Sequence, residues 1–205
     1  HAEKIFAGRI IMTDGEKNIR AFLAIEPPEE ILAAASRLQE KLKRELTGKV
    51  SWTRPHGNHL TLKFFGDISQ NDVANICNAV RQRAAAVLPI LLTVRQMGVF
   101  PNPQKARVLW LGTEGEVEKL AQLQKQLEDD FARIGFPQET RPFRAHLTLG
   151  RIKFPGSVQG IDKALDKYKD FTAGEFRDTE LILFQSKLTP QGAIYTRLAT
   201  IPLRG

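Results

Sequence analysis

Two histidines each stand two residues ahead of a threonine: His59 before Thr61 and His146 before Thr148, both inside the tetrapeptide His-Leu-Thr-Leu. In a β-strand, residues i and i+2 project from one face, so each histidine shares a face with its threonine while the leucines point the other way, into a core. An imidazole titrates near neutrality and serves as acid or base. Two of them can hold opposite protonation states, one donating to a leaving oxygen while the other deprotonates a nucleophile. Threonine hydroxyls add neutral hydrogen bonds to non-bridging oxygens. A tetrahedral phosphate between an attacking and a leaving oxygen matches such a cage, which predicts hydrolysis or transfer at a phosphodiester. No Asp/Glu cluster with ligand spacing accompanies the histidines, so the expected chemistry needs no metal and no cofactor.

The pair belongs to a longer repeat. A shift of 87 residues lays 48–62 on 135–149 without a gap, and eight of the fifteen positions are identical: Gly, Thr, Arg, Pro, His, Leu, Thr and Leu. The chain is an internal duplication. Its elements agree. Residues 19–26 form a short apolar strand, and 29–46 carry apolar residues at helical spacing up to a stop at Gly48. A strand is predicted over 59–65, and Ser69 with Asp72 opens a helix running to about Val87. Strands follow at 90–99 and 106–112, then a helix over 115–134. A short helix over 162–169 and strands at 177–185 and 193–203 close the chain. The fold class expected is α+β: two pseudo-symmetric lobes, antiparallel sheets with outer helices, around a central cleft. The structureless stretch 151–160 is expected as a loop over that cleft.

Composition sets the remaining bounds. The 205 residues are 42% hydrophobic and 26% charged, ordinary for a folded domain, with a net charge of +7 that favours polyanionic partners. The apolar run Ala84–Val94 is broken by Pro89 and falls short of the ~20 residues of a membrane helix. The single cysteine, Cys77, forbids an internal disulfide and fits a reducing cytoplasm; its neighbours Val73, Ile76 and Val80 mark it as a buried hydrophobe. Residues 1–17 read as an N-terminal extension ahead of a single bilobal domain at 18–205, and His1 carries no functional weight. Among secondary candidates, Arg151 lies just past the second motif strand, within reach of a phosphate. Arg54 and Arg141 precede the motifs at equal offsets. Trp52, Phe100 and Tyr195 are candidates for stacking on bases, whereas Trp110 reads as core and His56 as a loop residue.

The doubled His-x-Thr resembles the signature of the two-histidine phosphoesterase superfamily, and within it the LigT-like RNA 2′,3′-cyclic phosphodiesterases, also called 2′-5′ RNA ligases, of bacteria and archaea. IRAFLAIEPP, HLTLKFFGDI, FPNPQKARVLWLG, FRAHLTLGRIK and SKLTPQGAIYTRLATIPL all resemble family segments, covering about 19–203. The resemblance implies a basic cleft in which His59 and His146 are catalytic, and Thr61, Thr148 and Arg151 bind phosphate. It implies His59 as the acid that protonates the 3′ oxygen and His146 as the base that activates water, giving a 2′-phosphomonoester. The implied partner is RNA ending in a 2′,3′-cyclic phosphate, tRNA fragments included, met by a monomer that engages no membrane. Three alternatives stand beside this: reverse 2′-5′ ligation, a small cyclic nucleotide or 2′-5′ oligonucleotide as substrate, and an RNA-binding module without turnover.

Overall fold

A computed structural model of the chain describes residues 18–54, 57–190 and 192–205. The extension 1–17, with His1, and also His56, lie outside the described residues. In chain order the elements are β1 (Ile19–Ile25), α1 (Glu29–Glu45), β2 (Val50–Trp52), β3 (Leu60–Ile68), α2 (Gln70–Ala84), β4 (Ile90–Phe100), a 3₁₀ turn (Pro103–Lys105), β5 (Val108–Gly115), α3 (Val117–Arg133), β6 (His146–Ile152), α4 (Ile161–Lys167), β7 (Thr172–Asp178), β8 (Glu180–Thr189) and β9 (Gly192–Pro202). The fold is α+β, as expected. The Ser69–Asp72 capping box forms in both directions and starts α2. Cys77 is buried in that helix, and burial pushes its thiol above the usual range.

The strands run in the order β7-β4-β5-β6-β3-β1-β8-β9, with β2 paired to β6. One ladder pair, Leu60 with Leu147, joins β3 to β6. On either side of that seam lies one lobe, β3-β1-β8-β9 or β6-β5-β4-β7. The lobes correspond strand by strand, yet neither is built from one half of the sequence. Strand β4 ends the first repeat but pairs with β5 of the second, and β8 ends the second repeat but pairs with β1 of the first. Each half therefore completes the other's sheet. The first helices cross over in the same way. Helix α1 packs on β7, while Phe131 of α3 sets its ring against Phe65 of β3, with centroids 4.9 Å apart.

Alternation assigns the two faces. Ala21, Leu23 and Ile25 of β1 join the main core under the helices, together with Leu38 and Leu42 of α1 and Leu127 of α3. Phe22 and Ala24 point the other way and meet Ile182 and Phe184 in a small second core. The leucines of both motifs behave as alternation predicts, with Leu60, Leu62, Leu147 and Leu149 buried.

The stretch after the second motif does not lie over the cleft. Strand β6 continues to Ile152, and Gln159 bridges to Thr47, just past the end of α1. That bridge satisfies backbone groups which a loop over the cleft would have left to water. The strand β7 is likewise absent from the sequence-based expectation, as is β2.

Candidate active site

A cleft of about 510 Å³ opens where β3 meets β6. Its walls include His59, Thr61, His146, Thr148 and Arg151, so the residues singled out from sequence come together. The seam explains how. Leu60 stands opposite Leu147, so the residues flanking that one pair, His59 and Thr61 on one side and His146 and Thr148 on the other, turn to the same face across the seam. The two histidines are then diagonal neighbours across the seam, placed to flank one phosphate.

Both imidazoles are oriented in the same way. His59 Nδ1 lies 2.7 Å from the Gly57 carbonyl and His146 Nδ1 lies 2.6 Å from the Arg144 carbonyl. A carbonyl only accepts, so each Nδ1 carries the proton and each Nε2 is left as the titrating nitrogen. Their surroundings differ. His59 stacks on Phe22 at 4.3 Å and takes the edge of Tyr195 at 5.0 Å. His146 meets the edge of Phe100 at 5.1 Å, with Trp110 behind. Burial, aided by the Arg151 charge and opposed by the Gly57 carbonyl, pushes His59 down to about 4. Burial and then Arg151 depress His146 in the same direction.

Arg151 reaches the site by a route that simple alternation hides. Five residues beyond His146, it should face the helices. Trp110 pairs with Thr148 and Leu109 with Gly150, so Leu149 is bulged out of the ladder and the following residues change face. Arg151 thus sits within β6 rather than past it. The equivalent bulge at Leu62 in β3 brings Phe64 to the cleft at the matching place.

The cleft lining contains Arg20, Arg54 and Arg151 and no carboxylate among the described residues, which suits a polyanion. Arg54 faces the cleft, but its repeat partner Arg141 is exposed elsewhere. Trp52 and Tyr195 line the cleft, whereas Phe100 and Trp110 pack behind His146. Sequence reasoning missed Arg20, Phe22 and Asn58. Arg20 and Phe22 share a strand face, an alternation that goes unnoticed in a run that is otherwise apolar.

Comparison with known proteins agrees with this geometry. The LigT like Phosphoesterase family model matches twice, over residues 25–110 and 111–195, once per repeat. An RNA 2′,3′-cyclic phosphodiesterase of Methanothermobacter thermautotrophicus is 37% identical over 90% of this chain and 99% of its own length. Among solved structures, TT0787 of Thermus thermophilus superposes with a TM-score of 0.75 at 28% identity, covering 91% of this chain and 99% of its own. Escherichia coli LigT complexed with 3′-AMP gives 0.70 at 26% identity, covering 92% and 99%. With both repeats matched and the two-histidine cleft in place, the chain belongs to the LigT-like phosphoesterase family.

Proposed function

We propose that this phosphoesterase hydrolyses RNA 2′,3′-cyclic phosphate ends to 2′-phosphomonoesters, and that its working unit is the bilobal domain 18–205. The observation that carries the proposal is the pair of Nδ1-anchored imidazoles flanking one arginine-lined cleft. Thr61, Thr148 and Arg151 hold the non-bridging oxygens. His146 accepts a proton from water as the water oxygen bonds to phosphorus, the bond to the 3′ oxygen breaks, and His59 donates its proton to that oxygen. His146 then releases its proton to solvent and His59 takes one up, which resets the pair. The aromatic floor supports this division of labour. An imidazolium seated on Phe22 is a strong acid, because its ordinary affinity for the proton is reduced. The charge of a bound phosphodiester supplies the attraction that places the proton there. The reaction needs no metal in this scheme, since the two imidazoles and the Arg151 charge supply acid, base and charge neutralisation.

The test is incubation with a short RNA ending in a 2′,3′-cyclic phosphate, with EDTA present, and identification of the terminal phosphate. Conversion to a 2′-phosphate is expected to persist in EDTA. It should fall about 10²–10⁴-fold with His59→Ala and with His146→Ala, while RNA binding changes little. Binding without turnover by the unmodified protein would defeat the proposal, as would loss of turnover on chelation with rescue by a divalent ion.

A further inference from the structure

The bulge that turns Arg151 into the cleft is held from the other half of the molecule. Gln39 projects from α1 among Ala35, Leu38 and Leu42, is 2% exposed, and donates to the Leu149 carbonyl at 2.7 Å. The same amide donates to the Thr53 hydroxyl at 2.9 Å and the Thr53 carbonyl at 3.0 Å. Thr53 in turn presses on the bulge. Its backbone N–H donates to the Leu149 carbonyl at 3.0 Å, and its hydroxyl lies 2.8 Å from the Thr148 carbonyl. Asn58, also buried and the immediate neighbour of His59, donates to the Thr53 hydroxyl at 3.2 Å. One polar chain therefore runs from the residue before His59 to the carbonyls of Thr148 and Leu149. It crosses the molecule where a single ladder pair joins the lobes.

The other half is braced differently. The 87-residue shift lays Gln39 on Gln126, which is only half-buried, and Thr53 on Thr140, whose backbone N–H donates to the Glu139 carboxylate, while the buried Gln124 reaches the Leu62 carbonyl at 3.3 Å. Evenly matched halves would not need this difference. Only the second half carries a cation, Arg151, at the position that follows the bulge, where the first half carries Phe64.

We propose that Gln39 is a positioning residue for the phosphate site: with Thr53 and Asn58 it fixes the spacing of the two motif strands and holds the Leu149 bulge that aims Arg151. The proposal rests on the reading of Thr148 and Arg151 as phosphate ligands. The bulged carbonyl of Leu149 is held by three donors, the Gln39 amide, the Thr53 N–H and the Thr53 hydroxyl, and Gln39 also anchors Thr53 itself. Withdrawing the Gln39 amide therefore loosens both the bulge and its second support, which lets Arg151 shift from its place in the cleft.

The experiment uses Gln39→Met, which keeps the side chain's length and removes its donor, together with Arg151→Ala and the double variant. Two readouts are taken: steady-state kinetics on the cyclic-phosphate RNA, and the titration of His59 and His146 by NMR in the absence of substrate. Displacing a cation by about 1 Å costs up to about 100-fold in rate. Gln39→Met should therefore lower kcat/KM by about 10- to 100-fold, mostly through KM. It should raise both histidine titrations as Arg151→Ala does, because both lose the same neighbouring charge. In the double variant Gln39→Met should add little. Thr53→Val gives an independent version should Gln39→Met fail to fold, with the same changes expected. A folded Gln39→Met protein with unmoved titrations and kcat/KM within about twofold overturns the proposal. So do losses that multiply fully in the double variant. If Arg151→Ala leaves turnover intact while Gln39→Met still raises both titrations, the brace stands and the ligand role of Arg151 falls.

Discussion

Asp178 closes β7, away from the cleft, and is 4% exposed. Its Oδ2 is buried with no hydrogen-bond partner among the described residues. Burial pushes this carboxyl up to about 7, the Glu180 backbone N–H works against that rise, and the Glu180 carboxylate adds to it. The unfolded chain releases the same proton near its ordinary value of about 4. Below that value both states are protonated and the residue contributes nothing to pH dependence. Between about 4 and 7 the folded state alone keeps the proton, so stability falls as pH rises. Three units at 1.36 kcal/mol each give up to about 4 kcal/mol lost by pH 8. Asp178→Asn keeps an acceptor for the Glu180 N–H and removes the titration. We expect the variant to match the parent near pH 4 and to exceed it by about 2–4 kcal/mol at pH 8. Urea denaturation of both proteins from pH 4 to 8 measures this. Taking the difference cancels the titrating groups that do not interact with Asp178, His59 included. A difference that is flat or shrinks with pH would refute the account.

Three further outcomes are expected. In the free enzyme both histidines titrate below their ordinary value, so the profile of kcat/KM should be a bell centred on the acid side of pH 6.5, falling about tenfold per unit on its alkaline limb; a profile still rising at pH 8 would contradict it. A Cβ at Gly98 would overlap the Trp110 ring, so Gly98→Ala should cost about 1–3 kcal/mol by calorimetry and reduce turnover as the ring beside His146 shifts; an unchanged Tm would count against this packing. Lys63 is buried against Glu128 at 2.6 Å and the Pro137 carbonyl at 2.6 Å, so Lys63→Met should lose about 3–5 kcal/mol, and Lys63→Met with Glu128→Leu should recover much of it.

The site was legible because duplication writes its chemistry twice. His59 and His146 fall at one offset within one flanking sequence, and alternation alone put the threonines beside them. Arg151 was found for its charge and misplaced in structure, since a bulge at Leu149 leaves no mark in residue types: leucine occupies the regular and the bulged position alike. Gln39 did leave a trace, as a polar residue among the buried positions of an amphipathic helix. Its meaning depended on a contact 110 residues away in sequence. The pairing of β4 with β5 and of β8 with β1 was out of reach for a related reason. Periodicity predicts a strand and its faces but is silent on which edge receives it.

That exchange of strands bears on how an asymmetric enzyme arises from a symmetric plan. A half-length polypeptide of this design has a sheet short of one strand and one strand too many, and only a second copy can relieve both. Two such copies would form a closed pair in which any substitution appears on both sides of the axis. A cation at the place of Arg151 would then face an identical cation at the place of Phe64. Covalent fusion of the copies frees each position from its twin. A flat apolar ring then settles on one side of the cleft and a cation on the other, and the catalyst acquires a left and a right with which to orient a substrate whose two ends differ.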